Sequence, residues 1–272
     1  MTEYRMVDTT LRDGEQSPGF AFNILEKVRI AKLLDRAGIY QIEGGVPAMG
    51  KAEQEALLEM KSSCHFSKIS AWNRLLLTDI QASLECKPDI MHISAPVSSE
   101  QICRKLGKNK EWLKQELRTC VSFARERNFV VTVGFEDASR AEMPFLLELA
   151  GLLEQAGVSY IRFADTLGIM SPFEVYDTIK TFREFSGIDL EFHAHNDFGM
   201  AVVNSFAAVQ AGARYVDTTL HGIGERAGNC SLLTFLEMSE GCLTGKVKKS
   251  QAKWAEKESA AILWPERKYK NA

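Results

Sequence analysis

The feature that most limits the fold of this chain is a repeated alternation of strand-like and helix-like segments. Short β-branched or apolar runs recur eight times, near residues 4–8, 39–43, 67–71, 89–94, 129–135, 159–164, 189–195 and 215–220. Longer segments between them, such as 25–37 and 144–156, carry apolar residues at helical spacing. Several of these segments end at a glycine, which is typical of a helix terminus. Alternating strands and helices imply that the strands pair in parallel.

Eight such units in about 240 residues match a closed barrel better than an open, doubly wound sheet. We therefore predict an α/β fold, a (β/α)8 TIM barrel with parallel strands, over residues 4–245. Residues 246–272 form a basic C-terminal tail that could be helical. In a TIM barrel, chemistry takes place at the C-terminal ends of the strands and in the loops that follow them.

Composition narrows the class of ligand. The 272 residues are 45% hydrophobic and 25% charged, which fits a soluble chain with one large domain. Lysine and arginine number 33 against 36 acids, so net charge gives no reason to expect nucleic acid or a membrane surface, and small metabolites are favoured. No signal-like start or membrane-length apolar run is present, which predicts a cytoplasmic protein. Six cysteines without Cys-x-x-Cys spacing indicate reduced thiols.

Polar clusters follow six of the predicted strands at the end where a barrel carries its chemistry. They are Asp8–Gln16, Glu43–Gly45, Glu136–Asp137, Asp165–Thr166, His193 with His195, and Gly222–Asn229. Any one of them could be a solvated turn, since Asp, Gly, Asn and Thr are common turn residues. Their shared position at one mouth favours a catalytic site.

The histidine pair at the seventh strand is the strongest candidate for metal binding. Side chains alternate across a strand, so Glu191, His193 and His195 share one face. Two imidazoles on one face can supply adjacent coordination positions to a divalent metal. The alternative is a pair of ordinary histidines near a surface turn.

The glycines after the eighth strand do not indicate a dinucleotide site. Gly222 and Gly224 are followed by Gly228, so the Gly-x-Gly-x-x-Gly spacing fails, and the stretch follows the wrong strand. Asn229 is expected to cap the helix that begins near Ser231, and its amide could also face the metal site.

Three stretches resemble the homocitrate, 2-isopropylmalate and citramalate synthase family, over about residues 4–240. They are Asp8–Gln16, His193–His195 and Gly222–Asn229, and within the family Ser17–Asn23, Gly134–Glu142 and Arg162–Phe173 resemble most the nitrogen-fixation type of homocitrate synthase. The resemblance implies a metal-dependent TIM barrel that adds the methyl carbon of acetyl-CoA to the ketone of a 2-oxo acid and then hydrolyses the thioester. For the homocitrate type the acceptor is 2-oxoglutarate.

The resemblance also implies roles for individual residues. Asp13, His193 and His195 would hold a divalent metal, zinc, manganese or magnesium, with Asn229 nearby or ligating. Arg12 would bind the oxo acid and stabilise negative charge, and Thr166 would hydrogen-bond the substrate carboxylate. Gln16, Glu43, Glu136 and Glu225 would complete a shell around substrate and metal, with Glu136 grouped with Arg12 as catalytic.

Most of these residues could instead have a purely structural role. Arg12 and Asp13 could form a surface ion pair, Thr166 could be a turn residue, and Glu136 could be a solvated carboxylate. Glu43 and Glu225 could brace a neighbouring arginine or a loop.

The end of the chain departs from the family pattern. Full-length synthases continue after the barrel with segments that complete the active site, commonly with His and Tyr from a partner subunit. Here no histidine follows His221, and Tyr269 lies in the basic tail. The tail, with Trp254 and Trp264, could be an amphipathic helix that covers the barrel bottom or docks another chain, or a solvated end. A homo-oligomer or a complex with a second synthase subunit is therefore expected.

Three functions are compatible with these observations. The chain could be the catalytic barrel of a split homocitrate synthase. It could be a metal-dependent acyl-CoA lyase or oxo-acid aldolase, although it lacks the cysteine loop of the hydroxymethylglutaryl-CoA type. It could also be a noncatalytic barrel that binds an oxo acid and regulates a full-length synthase. The sequence names neither the native metal nor the base that removes the methyl proton.

Overall fold

A closed parallel barrel forms the centre of the molecule. The computed structural model describes residues 3–265. The strands are β1 Glu3–Asp8, β2 Gln41–Glu43, β3 Lys68–Arg74, β4 Ile90–Pro96, β5 Val130–Glu136, β6 Tyr160–Asp165, β7 Asp189–Ala194 and β8 Tyr215–Thr218. Neighbouring strands pair in parallel, and β1 pairs with both β2 and β8, which closes the ring. The predicted (β/α)8 barrel is confirmed.

Helices connect the strands along the outside of the barrel. They are α1 Ile24–Ala37, α2 Lys51–Ser63, α3 Leu77–Cys86, α4 Lys110–Arg125, α5 Met143–Gln155, α6 Pro172–Phe185, α7 Ala201–Gln210, α8 Leu232–Ser239 and α9 Lys249–Leu263. Short helical turns follow several strands, among them Gly14–Gln16 after β1 and Leu220–Gly222 after β8. A further short strand, β9 Thr244–Gly245, pairs with the N-terminal end of β1.

Local sequence explains where the helices begin and end. The Asn23 side chain accepts a hydrogen bond from the Glu26 backbone N–H, and the Glu26 carboxylate accepts one from the Asn23 backbone N–H, so α1 begins with a capping box. Ser171 and Glu174 make the same arrangement at the start of α6. Helix α1 ends at Gly38, whose φ of 87° is readily adopted only by glycine.

Two separate apolar layers stabilise the barrel. The larger lies between the sheet and the helices and contains most of the buried aliphatic side chains. The smaller lies inside the barrel, where Val7, Tyr160 and Tyr215 pack together with Tyr40 beside them. Aromatic side chains therefore fill the barrel interior near the N-terminal ends of the strands. Buried polar and charged side chains occupy the interior near the C-terminal ends.

The described part of the C-terminal tail is largely helical. Helix α9 packs against α1 and α8 and reaches the turn Leu220–Gly222 after β8, so it lies along the barrel wall on the side of the mouth. Tyr269 lies outside the described residues, and the boundary at residue 245 stays a prediction. Among residues 3–265, none of the helices combines the length and apolar character that crossing a bilayer requires.

Candidate metal centre and active site

The loop after β1 carries Arg12 and Asp13 to the centre of the barrel mouth. Its tight turn forms because the Thr9 carbonyl accepts hydrogen bonds from the backbone N–H groups of Arg12, Asp13 and Gly14, at 3.0, 2.9 and 3.0 Å. A Cβ on Gly14 would lie 3.0 Å from Cγ1 of Ile223. The first and eighth loops therefore meet at a position where a larger side chain would force one of them to move.

Asp13, His193 and His195 converge in a buried cluster. The Nε2 atoms of the two histidines lie 3.2 Å apart, and His193 Nε2 lies 3.2 Å from Asp13 Oδ2. One ligand atom of each of the three residues lies within 4.8 Å of the others. Two nitrogens bound at about 2.1 Å to one metal would be about 3.0–3.4 Å apart in octahedral or tetrahedral geometry. The separation observed here fits a shared divalent cation.

Unpartnered polar atoms around the cluster support the same interpretation. Asp13 Oδ1, His195 Nδ1 and both side-chain polar atoms of Asn229 are buried without a hydrogen-bond partner among residues 3–265. Asn229 forms an isolated β-bridge with His195, which places it beside the cluster. Buried polar groups are normally paired, so a set left without partners indicates space for a ligand. An acidic oxygen, an amide and two imidazoles are suitable donors for zinc, manganese or magnesium.

Asp217, on β8, fixes the orientation of His193. Its Oδ2 lies 2.7 Å from His193 Nδ1, and its Oδ1 accepts a hydrogen bond of 2.7 Å from the Thr9 hydroxyl. An imidazole held at Nδ1 by a carboxylate presents Nε2 outward, as in many metal sites. Asp217 was not among the residues predicted from the sequence.

The charges of the cluster are set by burial and by neighbouring groups. Burial lowers the pKa of His193, but Asp217 and Asp13 outweigh burial and raise it to about 9. Burial and the neighbouring His193 lower the pKa of His195 to about 4. Burial opposes ionisation of Asp13, yet Arg12 and His193 hold its pKa well below the ordinary range. A carboxylate and a neutral His195 therefore face the same point.

A buried layer of ion pairs lies beneath the cluster. Arg12 Nε lies 2.6 Å from Glu43 Oε1, and Arg162 NH2 lies 2.9 Å from Glu43 Oε2. Arg162 also binds Glu191 Oε1 through Nε at 2.7 Å and approaches Asp217 Oδ2 at 3.5 Å. Glu43 is fully buried, and these contacts place it as a brace between two arginines, which is one of the two roles that the sequence left open. Arg162 was not predicted as a site residue.

Most of the predicted site residues line a cavity of about 320 Å³ at the mouth of the barrel. The predicted site residues that line it are Arg12, Asp13, Gln16, Glu136, Thr166, His193, His195 and Glu225. The structure thus brings all of them together except Glu43, which lies below, and Asn229, which lies beside His195. The cavity is also lined by Trp72, Arg74, His92, Ser94, Lys105, Gly134, Arg162 and Ala164.

Residues at the rim of the cavity differ in how firmly they are held. The Thr166 hydroxyl oxygen accepts a hydrogen bond of 2.8 Å from the Asp137 backbone N–H, which leaves its own O–H directed elsewhere. Glu136 lies 3.5 Å from Lys105. Glu225 pairs at 3.3 Å with Arg226 and its side chain is 42% exposed. Thr166 is therefore fixed, whereas Glu225 is a partly solvated acid.

His92 is a third histidine that lines the cavity, and it was not among the residues predicted from the sequence. Its Nδ1 lies 2.9 Å from the Thr132 hydroxyl, and a Cβ on Gly134 would lie 2.6 Å from its Nε2. Glycine at residue 134 thus leaves Nε2 open toward the cavity. Burial, together with the charge of Arg162, lowers the pKa of His92 well below its ordinary value, so the ring is neutral.

A second groove adjoins the cavity on the side of β3 and β4. The two share Trp72, Arg74, Ser94, Lys105 and Glu136. The groove continues along the apolar side chains of Leu75, Leu76, Pro96, Leu106 and Trp112. Its walls are therefore apolar, with cationic side chains where it meets the cavity.

Comparison with known proteins identifies relatives across almost the whole chain. A family model described as HMGL-like matches residues 3–252. The chain is 49% identical to homocitrate synthase subunit alpha of Clostridium pasteurianum over 89% of each chain. It is 44% identical to homocitrate synthase 1 of Nostoc sp. over 85% of its own length, but spans only 62% of that protein. The solved structure of HMG-CoA lyase from Bacillus subtilis has a TM-score of 0.84 at 17% identity, with 97% and 94% of the two chains covered, which is a likeness of fold.

Proposed function

Because the chain belongs to the HMGL-like family and is a homocitrate synthase-like enzyme, we propose that it condenses acetyl-CoA with 2-oxoglutarate to give homocitrate and CoA. We propose further that it acts as one subunit of a two-chain synthase, as the name of the Clostridium pasteurianum relative suggests. One observation carries the proposal: Asp13, His193 and His195 converge beside Arg12 at the mouth of the barrel.

The proposed metal centre consists of Asp13, His193 and His195, with Asn229 beside it. A divalent cation held there would polarise the ketone oxygen of the acceptor. Arg12 supports the same step, because Glu43 at 2.6 Å, Asp13 at 3.2 Å and the face of Trp72, 5.5 Å from the guanidinium carbon, fix its guanidinium group. A fixed cation beside the reacting carbonyl would bind the acceptor carboxylate and stabilise the developing alkoxide.

The charges of the cavity favour a dicarboxylate acceptor. Arg12, Arg74 and Lys105 line it, and the neutral His92 presents Nε2 to the same space. Thr166 adds a hydroxyl whose oxygen already accepts from the Asp137 backbone N–H, and its O–H could donate to a substrate carboxylate. A branched aliphatic acceptor would place apolar surface against these polar groups and offer them no second carboxylate, which is costly in a partly enclosed site. These features support 2-oxoglutarate over 2-oxoisovalerate.

The adjoining groove suits the arm of acetyl-CoA. Trp72, Leu106 and Trp112 provide apolar surface for the pantetheine chain, and Arg74 and Lys105 lie at its junction with the cavity. Glu136 lines both spaces, so its carboxylate lies between the proposed sites of acceptor and thioester. We propose that Glu136 acts there in proton transfer at the acetyl methyl group.

A condensation assay tests the proposal. Metal-loaded protein is incubated with acetyl-CoA and 2-oxoglutarate, 2-oxoisovalerate or pyruvate, and thiol release and product mass are recorded. Each reaction is run with and without a second chain that carries the segments found beyond the barrel in the longer relatives. Homocitrate formed only with the second chain would support both parts of the proposal, and homocitrate formed by the lone chain would exclude the need for a partner.

Matched variants show whether the metal centre carries the activity. His193→Ala should remove turnover and metal binding together. His65→Ala alters an exposed histidine that does not line the cavity and should change neither. Cleavage of an acyl-CoA substrate without any condensation would instead indicate a lyase. Metal-dependent binding of 2-oxoglutarate without turnover, in every combination of chains, would indicate a noncatalytic binding protein.

A further inference from the structure

Helix α9, continued by Trp264, contacts two loops of the barrel mouth. It packs along α1 and α8 and reaches the turn Leu220–Gly222 that follows β8. The segment from His221 to Leu233 starts at that turn and contains Glu225 and Asn229. His221 has a φ of 57°, a left-handed conformation that is unfavourable for a residue with a side chain. Such a turn is maintained only when surrounding contacts hold it.

Glu256 of α9 supplies those contacts at both ends of the segment. Its Oε1 accepts a hydrogen bond of 3.1 Å from the His221 backbone N–H and a weaker one of 3.4 Å from the Leu233 backbone N–H. Its backbone oxygen lies 3.0 Å from His221 Nε2, and the Ser259 hydroxyl lies 3.3 Å from the same nitrogen. Glu256 is only 8% exposed. One buried carboxylate thus ties together the two ends of a thirteen-residue segment.

Trp264 extends the contact to the loop after β1. Its ring meets the His221 ring edge to face at 4.9 Å and the Phe20 ring at 6.1 Å. Phe20 lies in the loop after β1, which also contains Arg12 and Asp13. The close approach of Gly14 to Ile223 joins the same two loops directly. The loop that carries Asp13 and the loop that carries Asn229 are therefore held against each other from the side of α9.

We propose that Glu256 is a positioning residue of the metal centre, acting through the His221–Leu233 segment, and that Trp264 fixes this segment against the loop after β1. Charge-assisted hydrogen bonds that backbone N–H groups donate to a carboxylate are among the stronger ones available inside a protein. Loss of the carboxylate would free a strained turn next to Asn229 and His195. The inference rests on the proposed function only in taking Asp13, His193 and His195 as metal ligands.

Cobalt binding and hydrogen exchange test the proposal on the full chain. Glu256→Ala should weaken Co²⁺ affinity about tenfold, alter the Co²⁺ absorption bands and speed backbone exchange in residues 221–233. Glu256→Gln retains an acceptor oxygen and should restore affinity to within about threefold of the unchanged protein. Glu258→Ala removes an exposed carboxylate from the same helix and should leave all three readouts unchanged.

Metal binding and backbone exchange, measured together, separate failure of this inference from failure of the proposed function. If the unchanged protein binds no Co²⁺, the metal centre is excluded and the positioning role falls with it, while faster exchange in Glu256→Ala would show only that Glu256 holds residues 221–233. If Glu256→Ala cannot be obtained folded, Trp264→Leu replaces it, with the same expected direction and a smaller change. Unaltered Co²⁺ affinity and unaltered exchange in the folded variant would overturn the proposal.

Discussion

The floor and the mouth of the barrel interior are built from the same strands but satisfy their polar groups differently. At the floor, the Tyr160 hydroxyl donates to Gln41 Oε1 at 2.6 Å and the Gln41 amide donates to the Ser70 hydroxyl at 3.1 Å. The Tyr160 and Tyr215 rings stack at 4.2 Å. Burial raises the pKa of Tyr160 well above its ordinary value, so this network stays neutral.

Two residues further along the same strands the interior becomes charged. Arg162 follows Tyr160 on β6, Asp217 follows Tyr215 on β8, and Glu43 follows Gln41 on β2. Above this layer, polar atoms of Asp13, His195 and Asn229 have no hydrogen-bond partner among the described residues. Contacts within the protein thus satisfy the polar groups at one end, whereas the other end leaves polar atoms unpaired among the described residues, which fits the proposed metal site.

Arg162→Met should cause the largest change in the free energy of unfolding. It disrupts the ion pairs of the mouth and leaves the hydrogen bonds of the floor in place. Removing the cation leaves Glu43, Glu191 and Asp217 buried without it, and loss of one partner from a buried ion-pair network destabilises a protein by about 3–5 kcal/mol. Urea unfolding measures the loss. Arg214→Met, at an arginine whose side chain is 66% exposed, should cost less than about 1 kcal/mol. Equal stability of the two variants would contradict the comparison.

Asp8, at the C-terminal end of β1, should make the free energy of unfolding depend on pH. Burial raises its pKa from 3.8 to about 7, although the Thr10 backbone N–H donates to one of its oxygens. The folded state therefore keeps a proton that the unfolded state releases, and the free energy of unfolding should fall as pH rises from about 4 to 7. The slope approaches about 1.4 kcal/mol per pH unit for one proton.

Asp8→Asn should remove that slope. Between pH 5 and 8 in EDTA, the unchanged protein should lose about 2–3 kcal/mol more of its unfolding free energy than the variant. Urea unfolding at the two pH values gives the difference. Asp177→Asn, at an exposed position on α6, should keep the slope of the unchanged protein. Parallel pH profiles for Asp8→Asn and the unchanged protein would show that Asp8 ionises normally.

Asp217→Asn sharpens the comparison by weakening ligand binding more than folding. The amide can still accept from the Thr9 hydroxyl, but it no longer holds His193 by a charged contact at Nδ1. Loss of such a partner typically lowers metal affinity about 10- to 100-fold. A Zn²⁺ competition titration measures the change in affinity. Asp189→Asn, at the N-terminal end of β7 and away from the cavity, is the matched control. Unchanged affinity in Asp217→Asn would remove Asp217 from the centre.

The difference between the two ends also explains what the sequence could predict. The barrel follows from the repeated strand and helix pattern, because each helix must cover the apolar outer face of the sheet. Arg12, Asp13 and Thr166 were predictable, since they lie in loops where polar clusters interrupt apolar runs, and His193 was predictable because it forms a His-x-His pair with His195 at the end of β7. These residues line the cavity that the structure shows.

Arg162, Asp217 and His92 were not predictable in this way, because they lie within buried strands. Arg162 and Glu43 are 119 residues apart in sequence and meet only because the barrel closes. Strand periodicity places a residue on a face, but it does not select the residue on another strand that will be its partner. A search for charged residues at alternate positions inside apolar strands would have found Arg162 and Asp217, though not their shared contact with Glu43.

Tyr160→Phe should have the smallest effect and tests the floor alone. The change removes the hydroxyl that donates to Gln41 Oε1 at 2.6 Å but keeps the ring that stacks on Tyr215. Loss of one buried hydrogen bond that leaves an acceptor unpaired should lower the free energy of unfolding by about 1–2 kcal/mol. Metal affinity should stay within about twofold, because the neutral floor and the charged layer share no hydrogen bond through Tyr160.

Tyr176→Phe, at a tyrosine that is 37% exposed on α6, should change neither quantity. Urea unfolding and a Zn²⁺ titration on the same samples measure both, and a loss of metal affinity comparable to that of Asp217→Asn would show that floor and mouth are one coupled network.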